Sequence, residues 1–119
     1  MLNYLLWTFD EGKYTSKEEF SNAIKQYQVE MKGEDTWKPD ETIIDKPEMD
    51  ILLEMNWHEP PNDKVEFTLK SENNKNFTAL DFMFQLHNFI AQYDLGDHRF
   101  FEGISPDLEN NRYIIRMGS

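Results

Sequence analysis

The sequence predicts an α+β fold, in which two helices pack on a mainly antiparallel sheet of about five strands. Two segments repeat apolar residues at helical spacing, and several shorter segments alternate apolar and polar residues as half-buried strands do. The predicted order is β-α-β-β-α-β-β, and a ferredoxin-like core extended by a hairpin is one topology that fits it. The 119 residues suit a single domain, 1–119, with one core.

The helix predicted over residues 78–93 is the element around which the chain is organised. Thr78 is a good N-cap, and Asp81 places a negative charge near the positive helix end. A surface helix has one apolar stripe, but this helix has two on nearly opposite sides. The first stripe contains Leu80, Met83, Phe84, His87, Ile90 and Ala91. The second stripe contains Phe82, Leu86, Phe89 and Tyr93.

Something must cover the second stripe, because an exposed apolar patch of that size is uncommon in a monomer. The candidates are the first helix, the long acidic connection that carries Trp37, and a second copy of the chain. We favour a cover from within the chain, and therefore a monomer over a homodimer.

The remaining elements follow from local patterns. Residues 2–9 predict a strand with Leu5, Trp7 and Phe9 on one face and Tyr4 and Leu6 on the other, both covered. The first helix is predicted to begin at Ser16, which forms a capping box with Glu19, and to end at Gly33. Its apolar face contains Phe20, Ala23, Ile24, Tyr27 and Met31. Further strands are predicted at 49–57, 64–70, 99–104 and 112–117, with a short one at 42–44.

The net charge of -11 restricts the partners. Nucleic acid and anionic membranes are poor direct partners, because binding to them relies on basic patches. The apolar runs are shorter than the ~18 residues of a membrane helix, and the N-terminus lacks the pattern of a signal peptide. The chain has no cysteine, which excludes thiol chemistry and fits a cytoplasmic protein. The acidity either attracts a basic protein or only maintains solubility.

Most of that charge lies in one region, residues 34–63. It contains ten acidic residues against Lys38 and Lys46, a net charge of -8. Trp37 lies among these charges, and tryptophan is enriched where interfaces concentrate their binding energy. Trp37 either contacts a partner or folds back as a lid over the core. The predicted partner-binding residues are Trp37, Glu34, Asp35, Asp40, Glu41 and Asp45.

No residue set carries a recognisable catalytic pattern, so the chain is more plausibly a binding protein than an enzyme. His87 lies inside an apolar stripe, and a core histidine is a better interpretation than a general base. The alternative function is a small enzyme or ligand-binding domain with a pocket between the 78–93 helix and the sheet. Its polar groups would be His87, Asp94, Asp97 and His98.

Residues 94–98 include two carboxylates and an imidazole, which are suitable metal ligands. They lack the spacing of an EF-hand and the histidine pair of a zincin, and Gly96 more simply predicts a turn after the helix. We therefore expect no metal and no cofactor.

The run from Leu95 to Gly103, LGDHRFFEG, resembles a segment found in small bacterial proteins of unknown function. The whole chain resembles the immunity proteins of bacterial toxin systems, which are small, acidic and without catalytic motifs. This resemblance implies a non-enzymatic protein that neutralises or regulates a basic partner, such as a toxin nuclease.

Overall fold

The structure of the chain, a computed structural model, describes residues 2–9, 12–54, 64–92 and 100–118, except for the side chain of Glu54. These residues confirm the α+β class and contain two helices and six strands, where about five strands were predicted. The elements are, in chain order, α1 Lys17–Lys32, β1 Thr42–Ile44, β2 Glu48–Glu54, β3 Lys64–Lys70, β4 Phe77–Thr78, α2 Ala79–Ile90, β5 Phe100–Asp107 and β6 Arg112–Gly118.

Both helices begin, and α1 ends, through the local chemistry that the sequence indicates, whereas α2 ends at Ile90, before the predicted end at 93. The Ser16 side chain accepts a hydrogen bond from the Glu19 amide at the start of α1, and the Thr78 side chain caps α2 in the same way. Gly33 ends α1 in the left-handed conformation, with φ of 77°, and its amide donates to the carbonyl of Val29. The predicted helix face is wrong at one position, because Met31 in the last turn of α1 is 60% exposed.

Four strands form one sheet in the order β3-β2-β6-β5. Two antiparallel hairpins, β2–β3 and β5–β6, lie side by side because β2 and β6 pair in parallel, with Leu52 opposite Ile114. The short strands β1 and β4 form a separate antiparallel pair. This topology is not ferredoxin-like, since no strand precedes α1 in the described residues and the two hairpins are joined through β2 and β6.

The strand predicted over residues 2–9 is wrong. Among the described residues, its pairing with the sheet is limited to an isolated bridge between Thr8 and Phe100 and a backbone bond from the amide of Phe101 to the carbonyl of Trp7 (2.9 Å). A side chain makes the backbone hydrogen bonds that a neighbouring strand would make. The fully buried Gln28 of α1 bonds both the amide and the carbonyl of Leu6. The segment therefore runs between α1 and the edge strand β5.

Helix α2 is covered on both sides from within the chain, but at Phe89 the second stripe contacts the sheet, which was not among its three candidate covers. On the first stripe, Phe84 and His87 lie 5.8 and 5.2 Å from Phe20 of α1, measured between ring centroids. On the second stripe, Phe89 stacks on Phe67 of β3 with centroids 3.7 Å apart. The fold is thus layered, with α1 and the N-terminal segment on one side of α2 and the four-stranded sheet on the other. Tyr93, the last member of the second stripe, lies outside the described residues.

Candidate protein-binding surface

Trp37 is a lid over the core and not an exposed contact residue. Its side chain is 7% exposed, and its indole N–H donates to the hydroxyl of Ser21 in α1 (2.9 Å). Its backbone amide donates to the carboxylate of Asp35 (3.1 Å), which also lies 3.8 Å from the ammonium of Lys25. The prediction that Trp37 itself meets a partner is therefore corrected. Burying the indole against α1 removes a large apolar surface from water and fixes the neighbouring acidic residues in place.

Residues 34–45, here called the acidic arm, are also fixed to the start of α2. The amide of Ala79 donates to the carbonyl of Glu41 (2.8 Å), and the amide of Leu80 donates to the carbonyl of Pro39 (3.0 Å). The first amides of a helix have no partner within the helix, so these two bonds satisfy groups that would otherwise need water or a side chain. Pairing of β1 with β4 continues the same connection. The acidic arm is therefore an ordered part of the fold.

The five predicted acidic contact residues are all exposed on this arm. They are Glu34, Asp35, Asp40, Glu41 and Asp45. Lys38 is the one basic residue in the arm, so the arm carries a net charge of -4. Glu34, Asp40 and Asp45 make no side-chain hydrogen bond or ion pair with another described residue, so their carboxylates are available to a partner.

Tyr4 joins the N-terminal segment to the acidic arm, a contact that the strand prediction missed. Its hydroxyl donates to the carboxylate of Glu41 (3.2 Å), and the ammonium of Lys32 lies 5.6 Å above its ring. Partial burial, with the negative charge and hydrogen bond of Glu41, raises the pKa of Tyr4 to about 12. The prediction that both faces of 2–9 are covered is also wrong, because Tyr4 and Leu6 are exposed. Alternation separates these two residues from the buried ones, but it does not show whether their own side is covered.

His87 is a core residue, as its place in an apolar stripe favours. It is fully buried, with Trp7 Nε1 3.1 Å from Nδ1 and the carbonyl oxygen of Gly12 3.0 Å from Nε2. An indole nitrogen can only donate, so Nδ1 accepts, and Nε2 carries the proton donated to Gly12. A neutral imidazole can make both hydrogen bonds. His87 therefore has no access to a substrate in a pocket.

The other residues of the alternative pocket, Asp94, Asp97 and His98, lie outside the described residues. Within the described part of the chain, no group of three or more histidine, aspartate and glutamate side chains is placed to hold a metal ion. No helix in that part is long and apolar enough to cross a membrane.

The described surface has open clefts, but they lie elsewhere. One of about 350 Å³ is lined by Trp7, Thr8, Tyr14 and Tyr27, with Glu30 at its side. Another of about 280 Å³ lies on the sheet, where Arg112 pairs with Glu66 and Asp107. Neither is lined by a residue that the sequence predicts for a site. Of the two predicted sites, only the acidic arm lies wholly within the described part of the chain, and its five acidic residues are exposed there.

Comparisons of the chain with protein-family models, with curated proteins and with solved structures find no match.

Proposed function

We propose that this protein is a non-enzymatic binding protein whose acidic arm, residues 34–45, associates with a basic protein and neutralises or regulates it. The observation that carries the proposal is the arm itself: five exposed carboxylates on an ordered segment, three of them without partners among the described residues. Flexible acidic tails also keep proteins soluble, but they do not need fixed geometry. Here a buried tryptophan and two backbone bonds to α2 hold the carboxylates in place.

Electrostatic attraction explains what such an arm does for a partner. A surface with one sign of charge attracts molecules of the other sign and speeds their association, more so at low ionic strength. The chain carries 23 acidic and 12 basic residues, so a basic protein is attracted at a distance as well as at contact. A nuclease or another nucleic-acid-binding protein has the matching basic surface. Blocking that basic surface would inhibit the partner without any chemical reaction.

The test compares two variants with the same net charge. The arm variant changes the three unpaired carboxylates, Glu34→Gln, Asp40→Asn and Asp45→Asn. The control variant changes Glu18→Gln, Glu102→Gln and Glu109→Gln, which are exposed and make no side-chain bond with a described residue. Each chain is immobilised, basic proteins are captured from the source cells, and association rates are measured for the purified captured protein at low and moderate salt.

We expect the arm variant to associate at least about tenfold more slowly at low salt, with the difference shrinking as salt is added. The control variant should stay within about twofold of the wild-type chain. Reproducible failure of the wild-type chain to retain a basic protein would overturn the proposal. Equal slowing of both variants would show that the net charge acts and that the arm has no special role.

A further inference from the structure

Exposed apolar side chains lie beside the acidic arm. Tyr4 is 36% exposed, and Leu6 and Val29 are each 38% exposed. Two of them come from the N-terminal segment and one from α1, and hydrogen bonds join these two elements beside the three residues. Gln28, next to Val29, holds the backbone of Leu6, and Lys32, three residues after Val29, bonds the carbonyl of Tyr4. Residues three apart on a helix share a face.

The same flank of α1 holds the acidic arm. Lys32 donates to the hydroxyl of Thr36 (3.1 Å), and Lys25, which is four residues before Val29, pairs with Asp35. The Tyr4 hydroxyl bonds Glu41. The apolar group and the arm are therefore neighbours along this flank of α1, where Lys25 and Lys32 are already engaged by groups of the chain itself. Lys38 is the one lysine of the arm, against five carboxylates.

We infer that Tyr4, Leu6 and Val29, here called the apolar patch, are the contact centre of the protein-binding surface, and that the acidic arm is its charged rim. Protein interfaces have this anatomy, with an apolar centre rich in tyrosine and a polar rim. The occupant is a basic protein segment that carries apolar side chains between its lysines or arginines. Charge complementarity selects this occupant, because the rim is acidic. The inference rests on the proposed function and moves the anchoring role from Trp37, which is buried, to the patch.

The test uses two eight-residue peptides with equal charge, one alternating lysine with leucine and the other alternating lysine with serine. Binding to the full chain is followed by two-dimensional NMR of its backbone amides. Five chains are compared, namely wild type, Leu6→Gln, Val29→Gln, Leu108→Gln and the arm variant. Leu108 is 88% exposed in the turn between β5 and β6 and serves as the control for removing a surface leucine.

We expect the lysine–leucine peptide to bind the wild-type chain about tenfold more tightly, with shifts at residues 4–6 and 28–32. That preference should disappear in Leu6→Gln and Val29→Gln and persist in Leu108→Gln. If Leu6→Gln unfolds the chain, Val29→Gln decides, because Val29 lies on the outer side of a capped helix.

Three results would overturn the inference. The first is equal affinity for the two peptides while the arm variant weakens both, which would leave the proposed function standing. The second is a leucine preference that survives Leu6→Gln and Val29→Gln. The third is concentration-dependent self-association that either substitution abolishes, since the patch would then belong to a second copy of the chain. Absence of binding by both peptides would count against the proposed function as well.

Discussion

The contact between Trp7 and His87 shows what a single buried polar residue does for this fold. The imidazole accepts from the indole of the N-terminal segment and donates to the carbonyl of Gly12, so it joins α2 to two positions before α1. A buried polar group without a partner costs free energy. Here the imidazole is the hydrogen-bond partner of both the Trp7 indole and the Gly12 carbonyl. His87 therefore fixes a segment that forms only an isolated bridge to the sheet.

Replacing His87 should be costly for that reason. His87→Leu leaves the indole N–H and the Gly12 carbonyl without these partners, and we expect a loss of about 2–4 kcal/mol in the free energy of unfolding. In a double-mutant cycle measured by urea unfolding, Trp7→Phe and His87→Leu together should cost about 1–2 kcal/mol less than their sum. Trp37→Phe with His87→Leu is the control and should be additive, since Trp37 bonds Ser21. Additivity of the first pair would contradict the assigned bond.

The ionisation of Tyr4 should make the stability of the fold depend on pH in the alkaline range. Its pKa in the folded chain is about 12, above the ordinary 10.0, because partial burial and Glu41 disfavour the phenolate. A raised folded pKa means that the contribution to stability is complete below the unfolded pKa and is lost as the pH rises from about 10 toward 12. The stability difference between wild type and Tyr4→Phe should therefore be constant at neutral pH and shrink over that window. An absorbance titration in which Tyr4→Phe removes a transition near pH 10 would contradict this assignment.

At the scale of elements, local signals predict helix ends well because capping depends on neighbours in sequence. The bonds at Ser16 and Thr78 and the left-handed Gly33 form where the sequence places them. The edge strand β5 instead depends on pairing with β6, from Asp107 opposite Arg112 to Phe100 opposite Gly118, and its own pattern does not show where that pairing stops. The structure extends it to Asp107, beyond the predicted end at 104.

Gly33 offers a direct measure of one such signal. Its φ of 77° is strained for a residue with a side chain, although a Cβ there would meet no atom within 4 Å. Gly33→Ala should therefore destabilise the chain by about 1 kcal/mol through backbone strain alone. Gly12→Ala is the matched control, because Gly12 has equally open surroundings and is not in the left-handed region. Equal effects of the two substitutions on the urea midpoint would show that the conformation of Gly33 does not matter.

At the scale of the whole molecule, the sequence predicts the class of the fold better than its topology. The two stripes of α2 indicate that both sides are covered, but they do not identify the covers. The sheet contacts Phe89 of the second stripe, where α1, the acidic connection or a second copy was expected, and α1 contacts Phe84 of the first stripe. The N-terminal segment alternates like a strand, yet Gln28 takes its backbone bonds, an interaction between residues 22 apart that no local pattern encodes. The candidate surface is likewise only partly predictable. The charge pattern identifies the acidic arm, but the burial of Trp37 and the contact of Tyr4 with the arm depend on tertiary contacts.

The contacts that bury the second stripe of α2 also bear on the oligomeric state. Phe67 stacks on Phe89, so this part of the second stripe is occupied by the chain's own sheet and does not need a second copy. We expect light scattering to give a monomer of about 14.3 kDa. Phe89→Ala should leave that mass unchanged and cost about 2–4 kcal/mol, somewhat below a fully buried phenylalanine because the ring is half-buried.

Leu108→Ala is the control for this experiment, since its side chain is 88% exposed and its loss should change the free energy of unfolding by less than about 0.5 kcal/mol. A mass of twice the monomer that falls on Phe89→Ala would show that the stripe forms a dimer interface. A cost below about 1 kcal/mol at constant mass would show that the stack on Phe67 contributes little. If the monomer mass and the cost of Phe89→Ala are both as expected, the chain itself covers both faces of α2. The apolar patch beside the acidic arm then remains open to a partner.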